Sequence, residues 1–106
     1  MTDASDEDCL PTPEFPGCLV RDLQIVNKKG LHARATAKFV QCVDGFDAEI
    51  QVARCGEIVG GTSIMGILTL GAGIGTTIRV AAKGPQAQEA LNAITQLVAN
   101  RFGEDE

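Results

Sequence analysis

The feature that most constrains this fold is the alternation, within one short chain, of segments with a two-residue apolar period and segments with a helical one. Two-residue alternation, together with one hairpin turn, predicts four strands, over residues 20–26, 48–54, 57–60 and 76–83. Helical spacing predicts three helices, over 32–43, 62–70 and 84–103. Since the strands have one polar face, the order βαββαβα predicts an α+β fold, a two-layer open-faced sandwich. Three helices are expected to cover one face of a four-stranded antiparallel sheet.

The helices carry more detailed expectations. In the first helix, apolar spacing places Ala33, Ala37 and Val40 toward the core. Gly45 follows that helix and is expected to take the left-handed cap conformation. Pro85 is expected in the first turn of the last helix, where a missing backbone donor costs little.

The charge of the chain is concentrated in separate segments. The formal net charge is −5, yet eight of the 14 acidic residues lie in the first fourteen or last three positions. Residues 1–17 also contain three prolines and few large apolar residues, which predicts a flexible tail over 1–17 and one domain over 18–106. Within the domain, four cations fall in eleven residues without an acid. This basic cluster consists of Lys28, Lys29, Arg34 and Lys38.

Composition argues against several classes of protein. No apolar run reaches the length of a membrane span, and the acidic start does not resemble a secretory signal. The four cysteines form no C-x-x-C pair and there is one histidine, so we expect no zinc site, reduced thiols and a cytoplasmic location. An acidic chain with few aromatic residues is not expected to bind nucleic acid. The glycine-rich stretches lack a phosphate-loop pattern and predict turns, so no cofactor is expected.

His32 is the residue best placed for chemistry. It follows Gly30-Leu31 and precedes a predicted helix, so it lies where backbone N–H groups have no helical partner and the helix dipole is positive. That environment favours a neutral, nucleophilic imidazole and also binds a phosphoryl group, to which Arg34 could add a charge-assisted bond. The pattern indicates a transient phosphohistidine. On spacing alone, a surface or capping histidine near incidental cations is an equal alternative.

The motif around His32 resembles a known one. The stretch from Gly30 to Ala35 (GLHARA) is similar to the active-site motif of the HPr family, the histidine phosphocarriers of the phosphoenolpyruvate-dependent phosphotransferase system. A second stretch, 62–66 (TSIMG) followed by Leu70-Gly71, resembles that family's second signature. The resemblance covers roughly residues 19–103. It implies that His32 accepts phosphate on Nδ1 from enzyme I and passes it to an enzyme IIA, with Arg34 as the phosphate partner.

The chain departs from the family pattern at one position. Ala35 stands where the family usually has proline. Alanine keeps a backbone N–H near the expected phosphate and has a high helix propensity, so we expect transfer to survive.

Ser63 is a second candidate site. From physics alone, Ser63 or its neighbour Thr62 is a helix cap. The resemblance implies instead that Ser63 is phosphorylated by an HPr kinase/phosphorylase. Nearby, Ile64 fits the core stripe of its helix while Met65 lies off it, either as a partner contact or as core filler.

A docking face for partner proteins is expected beside these two sites. The resemblance places Ile64 and Met65 on it, and the cations near His32 would steer an acidic partner. The docking residues are therefore expected to be Lys28, Lys29, Lys38, Ile64 and Met65.

Other functions stay open at this point. The ends of the last helix look somewhat like a nitrogen-related branch of the family, which regulates without transporting sugar. A purely regulatory binding module is disfavoured because such paralogues lack the histidine, and a small-molecule sensor would make both motifs coincidental. A last hypothesis is that the acidic N-terminal tail folds back on the basic cluster and competes with partners.

Overall fold

The computed structural model describes residues 14–106 and confirms the predicted order of elements. The strands are β1 (Leu19–Gln24), β2 (Glu49–Arg54), β3 (Glu57–Gly60) and β4 (Thr77–Lys83). The helices are α1 (Ala33–Asp44), α2 (Ile64–Thr69) and α3 (Ala87–Ala99), followed by a 3₁₀ turn (Arg101–Gly103). The N-terminal tail predicted over 1–17, including its proposed contact with the basic cluster, lies largely outside the described residues.

The four strands form one antiparallel sheet in the order β1-β4-β2-β3. Strand β4 is central, and its Val80 lies opposite Val52 of β2 and Arg21 of β1. The hairpin between β2 and β3 turns through Cys55 and Gly56, which both have positive φ, as in the two-residue turns that match sheet twist. This confirms the predicted hairpin and the open-faced α+β sandwich.

The core lies between the sheet and the helices. The large apolar side chains with less than 2% exposure come from both layers: Ile25, Val52, Ile78 and Val80 from the sheet side, and Phe39, Ile67, Leu91, Ile94 and Phe102 from the helical side. Each apolar face is therefore covered by the other layer, which is the main stabilising term for a domain of this size.

The core-facing stripe of α1 differs from the prediction. Ala35, Thr36, Phe39 and Val43 are buried, whereas Ala33 is exposed. Alanine occupies every second position from 33 to 37, so spacing could not choose among these residues. The register is set by Phe39, whose large side chain is fully enclosed.

Two predictions about helix ends are wrong. Gly45 has φ −78° and stays right-handed, since its N–H bonds to the carbonyls of Cys42 and Val43. Pro85 precedes α3 instead of lying in its first turn, because Gln86 forms two hydrogen bonds with Asp47. The backbone N–H of Gln86 donates to the Asp47 carbonyl at 3.0 Å, and the backbone N–H of Asp47 donates to Oε1 of Gln86 at 2.7 Å. Gln86 is therefore the residue before the helix, which begins at Ala87.

Among the cysteines within residues 14–106, the expectation of reduced thiols is wrong at one. Cys18 and Cys42 are free, and burial raises the pKa of the Cys42 thiol, which makes it less reactive. Cys55 is disulfide-bonded. Pairing depends on distance in space, which the spacing of cysteines along this chain does not reveal.

Within residues 14–106, no helix is long and apolar enough to cross a bilayer.

Candidate functional site

Gly30 sets the path of the chain into the site. Its φ is +67°, and a Cβ built there would lie 2.4 Å from the carbonyl oxygen of Ala72 and 2.7 Å from Cα of Gly73. The next residue, Leu31, is buried and donates its N–H to that same Ala72 oxygen at 2.9 Å. Only glycine can combine this close contact with a left-handed backbone. Gly30 therefore allows the loop before α1 to pack against residues 72–73.

His32 is the N-cap of α1, as the sequence predicts. Its backbone is extended (φ −82°, ψ −176°), and its carbonyl accepts the N–H of Thr36 at 2.9 Å. The ring folds back over the first turn, where Nδ1 accepts the backbone N–H of Arg34 at 3.3 Å. The imidazole is thus held at the positive end of the helix dipole, and its side chain remains 28% exposed.

The other ring nitrogen of His32 meets a carboxylate. Nε2 lies 2.5 Å from Oε2 of Glu104, 72 residues further along the chain. The second oxygen of Glu104 accepts the side-chain N–H of Asn27 at 3.1 Å, and fully buried Asn27 also donates to the carbonyl of Gly30 at 2.8 Å. Asn27 therefore ties the acid to the loop that carries the histidine.

Glu104 is ionised in this setting. Burial acts to raise the pKa of its carboxyl group, but hydrogen bonds from Asn27 and His32, together with the charge of Lys29, outweigh burial and hold that pKa below its ordinary value. With an N–H donor at Nδ1 and a carboxylate at Nε2, the neutral ring is assigned the tautomer protonated on Nε2. The lone pair of Nδ1 is then directed toward the first turn of α1.

The basic cluster and His32 line one open cleft of about 460 Å³. Lys28, Lys29 and Arg34 are exposed, and Arg34 extends from the first turn of α1. The cleft also borders the acidic end of the chain: Lys28 pairs with Glu106 at 3.4 Å, and Lys38 donates from Nζ to the carbonyl of Phe102 at 2.7 Å. Sequence reasoning missed this contact, for which the opposite charges of residues 28–38 and 104–106 were the only signal.

Ser63 is the N-cap of α2. Its Oγ accepts the N–H of Gly66 at 3.1 Å, and the side chain is exposed. A Cβ on Gly66 would lie 2.8 Å from that oxygen and 3.0 Å from Cβ of Val59, so glycine permits the close approach. The capping role predicted for this position is confirmed and belongs to Ser63, not to Thr62.

The two residues after Ser63 form an exposed apolar pair. Met65 is 71% exposed, in agreement with its predicted position off the core stripe. Ile64 is 43% exposed, so its predicted place in the core is wrong. Ile67 and Leu70 are the residues buried at this point, because a six-residue helix offers the core fewer than two turns.

Comparison with known proteins shows the family of this chain. Residues 19–100 match the family described as PTS HPr component phosphorylation site. The "Phosphocarrier protein HPr" of Cupriavidus necator is 49% identical over 88 residues, which cover 83% of this chain and 99% of that protein. The chain belongs to the HPr family. The protein of the same name from Pseudomonas aeruginosa is 45% identical to this HPr-family chain over 86 residues, covering 80% of the chain and 96% of the relative.

A solved structure shares the fold of this HPr-family chain. The crystal structure of HPr-C-His from Thermoanaerobacter tengcongensis has a TM-score of 0.80 at 38% identity and covers 83% of this chain and 99% of its own. The family match includes His32 and Ser63 and ends before Glu104. The family is defined by a phosphorylation site, which therefore lies within the matched residues.

Proposed function

We propose that this chain is a phosphocarrier of a phosphotransferase system in which Nδ1 of His32 receives a phosphoryl group from enzyme I and passes it to an enzyme IIA-type acceptor. One observation supports this most strongly: His32 caps α1 with Nδ1 turned toward the first-turn amides, inside a cleft lined by cations. The curated relatives, named phosphocarrier proteins, support the same function.

Transfer follows from the arrangement of charge around the ring. The lone pair of Nδ1 attacks the phosphorus of the donor's phosphohistidine, so that a new N–P bond forms as the donor's N–P bond breaks and its electron pair returns to the donor nitrogen. The first-turn N–H groups and the guanidinium of Arg34 face the transferring oxygens, where they stabilise negative charge. Delivery to the acceptor is the same step in reverse.

Regulation at Ser63 is the second part of the proposal. The hydroxyl is exposed and accepts one hydrogen bond, so an HPr kinase/phosphorylase could reach it without unfolding α2. Phosphate there adds close to two negative charges at a helix start, which the dipole tolerates. Because exposed Ile64 and Met65 follow directly, the added charge would change a docking face that also includes Lys28, Lys29 and Lys38.

A crossed labelling experiment tests both sites. With phosphoenolpyruvate and enzyme I, the protein should take up an acid-labile phosphate, which His32→Ala abolishes and Ser63→Ala retains. With ATP and an HPr kinase, it should take up an acid-stable phosphate, which Ser63→Ala abolishes and His32→Ala retains. Each variant is thus the control for the other.

Two outcomes would contradict the proposal. Acid-labile labelling of His32→Ala at the wild-type level would exclude the carrier mechanism. Acid-stable labelling of Ser63→Ala would move the regulatory site, with Thr62 as the neighbouring hydroxyl. The comparisons give no support to the nitrogen-related alternative, and no second function is proposed.

A further inference from the structure

We infer that Glu104 is a positioning residue for phosphoryl transfer, which holds the Nε2 proton of His32 so that Nδ1 is the nucleophile. The inference rests on the proposed function, since it concerns how His32 is prepared to accept phosphate. It assigns a role to a residue near the C-terminal end, far in sequence from the motif that carries the histidine.

The first argument is geometric. The two ring nitrogens of His32 have different partners that favour the same tautomer: the Arg34 N–H donates to Nδ1, and the Glu104 carboxylate lies 2.5 Å from Nε2. A neutral ring protonated on Nδ1 would lose both contacts. Its Nδ1–H would face the Arg34 N–H, and the lone pair on Nε2 would face the Glu104 carboxylate. Both contacts therefore favour a lone pair, and not a proton, on the nitrogen that faces the helix start.

The second argument is that Glu104 is itself fixed. Its other oxygen accepts from buried Asn27, and its side chain is only 16% exposed. The nearby pair of Lys28 and Glu106 has both side chains 72% exposed at 3.4 Å, as expected for a weak surface ion pair. Glu104 is held on both sides, in the manner of an acid that orients a catalytic imidazole through its far nitrogen.

The third argument concerns charge during the reaction. When Nδ1 forms the N–P bond, no proton leaves the ring, because the proton already resides on Nε2. The phosphorylated ring then carries positive charge at Nε2, directly against the Glu104 carboxylate. The Glu104 carboxylate therefore stabilises the positively charged, phosphorylated ring more than it stabilises the neutral ring. The imidazole itself lies between the carboxylate and the phosphoryl group.

Three variants test the inference. Glu104→Ala removes the acceptor, Glu104→Gln keeps an oxygen acceptor without charge, and Asp105→Ala removes one neighbouring charge as a control. Nitrogen-15 NMR of the His32 ring reports the tautomer, and single-turnover transfer from phosphorylated enzyme I reports the rate. We expect Glu104→Ala to mix the tautomers and slow acceptance about 10- to 100-fold, as for one hydrogen bond to a charged group.

The controls separate positioning from general charge. Glu104→Gln should keep the Nε2–H tautomer and recover part of the rate, and Asp105→Ala should match the wild type in both measurements. A Glu104→Ala protein with the wild-type tautomer and rate would overturn the inference, and so would faster acceptance, which would make the contact a block. Because acid-labile labelling of His32→Ala tests the carrier function separately, either result would leave that function standing.

Discussion

Gly30→Ala tests whether the histidine motif is built on a steric contact. The substitution forces a side chain into a left-handed backbone at φ +67°, which costs about 1–2 kcal/mol. It also places a methyl group 2.4 Å from the Ala72 carbonyl oxygen, and overpacking of this kind costs about 1–3 kcal/mol. The oxygen cannot move away freely because it accepts the Leu31 N–H. We expect a total loss of about 2–5 kcal/mol.

Gly71→Ala is a matched control for the backbone term. Gly71 has nearly the same φ, +65°, but a Cβ there would meet nothing within 4 Å. Urea unfolding should show that Gly30→Ala is the less stable variant by about 1–3 kcal/mol, the steric part alone, since the effect of alanine on the unfolded chain cancels. Phosphoryl acceptance should fall in Gly30→Ala at native conditions and stay unchanged in Gly71→Ala. Equal losses of stability in the two variants would refute the steric reasoning.

Two further substitutions probe bonds away from the motif. Asp22→Asn should lower stability by about 0.2–1 kcal/mol near neutral pH, because the hydrogen bond from Arg79 lowers the pKa of the Asp22 carboxyl group. Because the pKa of Asp22 is lower in the folded state, its carboxylate stabilises the protein above the ordinary pKa, and this contribution is lost as the pH falls through the folded-state pKa. The stabilities of variant and wild type should therefore converge in acid, and a constant difference would contradict this. Ser63→Ala should cost about 1 kcal/mol and speed hydrogen exchange at Gly66, whereas Ser63→Asp, which keeps a capping oxygen, should change both much less; equal effects would rule out capping as the cause.

The sequence predicted the fold because each element has its own periodic signal. Apolar and polar residues alternate along the strands, α3 carries a full apolar stripe, and Gly30 marks the loop that precedes α1. Prediction was wrong where the local pattern was degenerate. Evenly spaced alanines left the buried face of α1 undetermined, and burial of Phe39 decides it. The six residues of α2 form fewer than two turns, which is too short a pattern to show that Ile64 is exposed.

The site divides in a similar way. His32 at a helix start, with Arg34 two residues later, follows from local sequence because both belong to one turn. Glu104 could not be found in this way, since its contact with His32 spans 72 residues and depends on how α3 and the final turn pack. Residues 101 and 102 both have positive φ, a conformation that no pattern in arginine or phenylalanine predicts.

The acidic character of the chain has a more specific meaning in the structure. The acids at its C-terminal end do not merely offset the basic cluster, because they meet it at defined atoms: Glu106 on Lys28 and Glu104 on Nε2 of His32. A carboxylate beside a phosphate site would oppose phosphate if both lay on one side of the ring. Here the acid is on Nε2, while the amide of Arg34 is on Nδ1. The imidazole therefore separates the two anions, and the acid orients the nucleophile from the side that the phosphoryl group does not occupy.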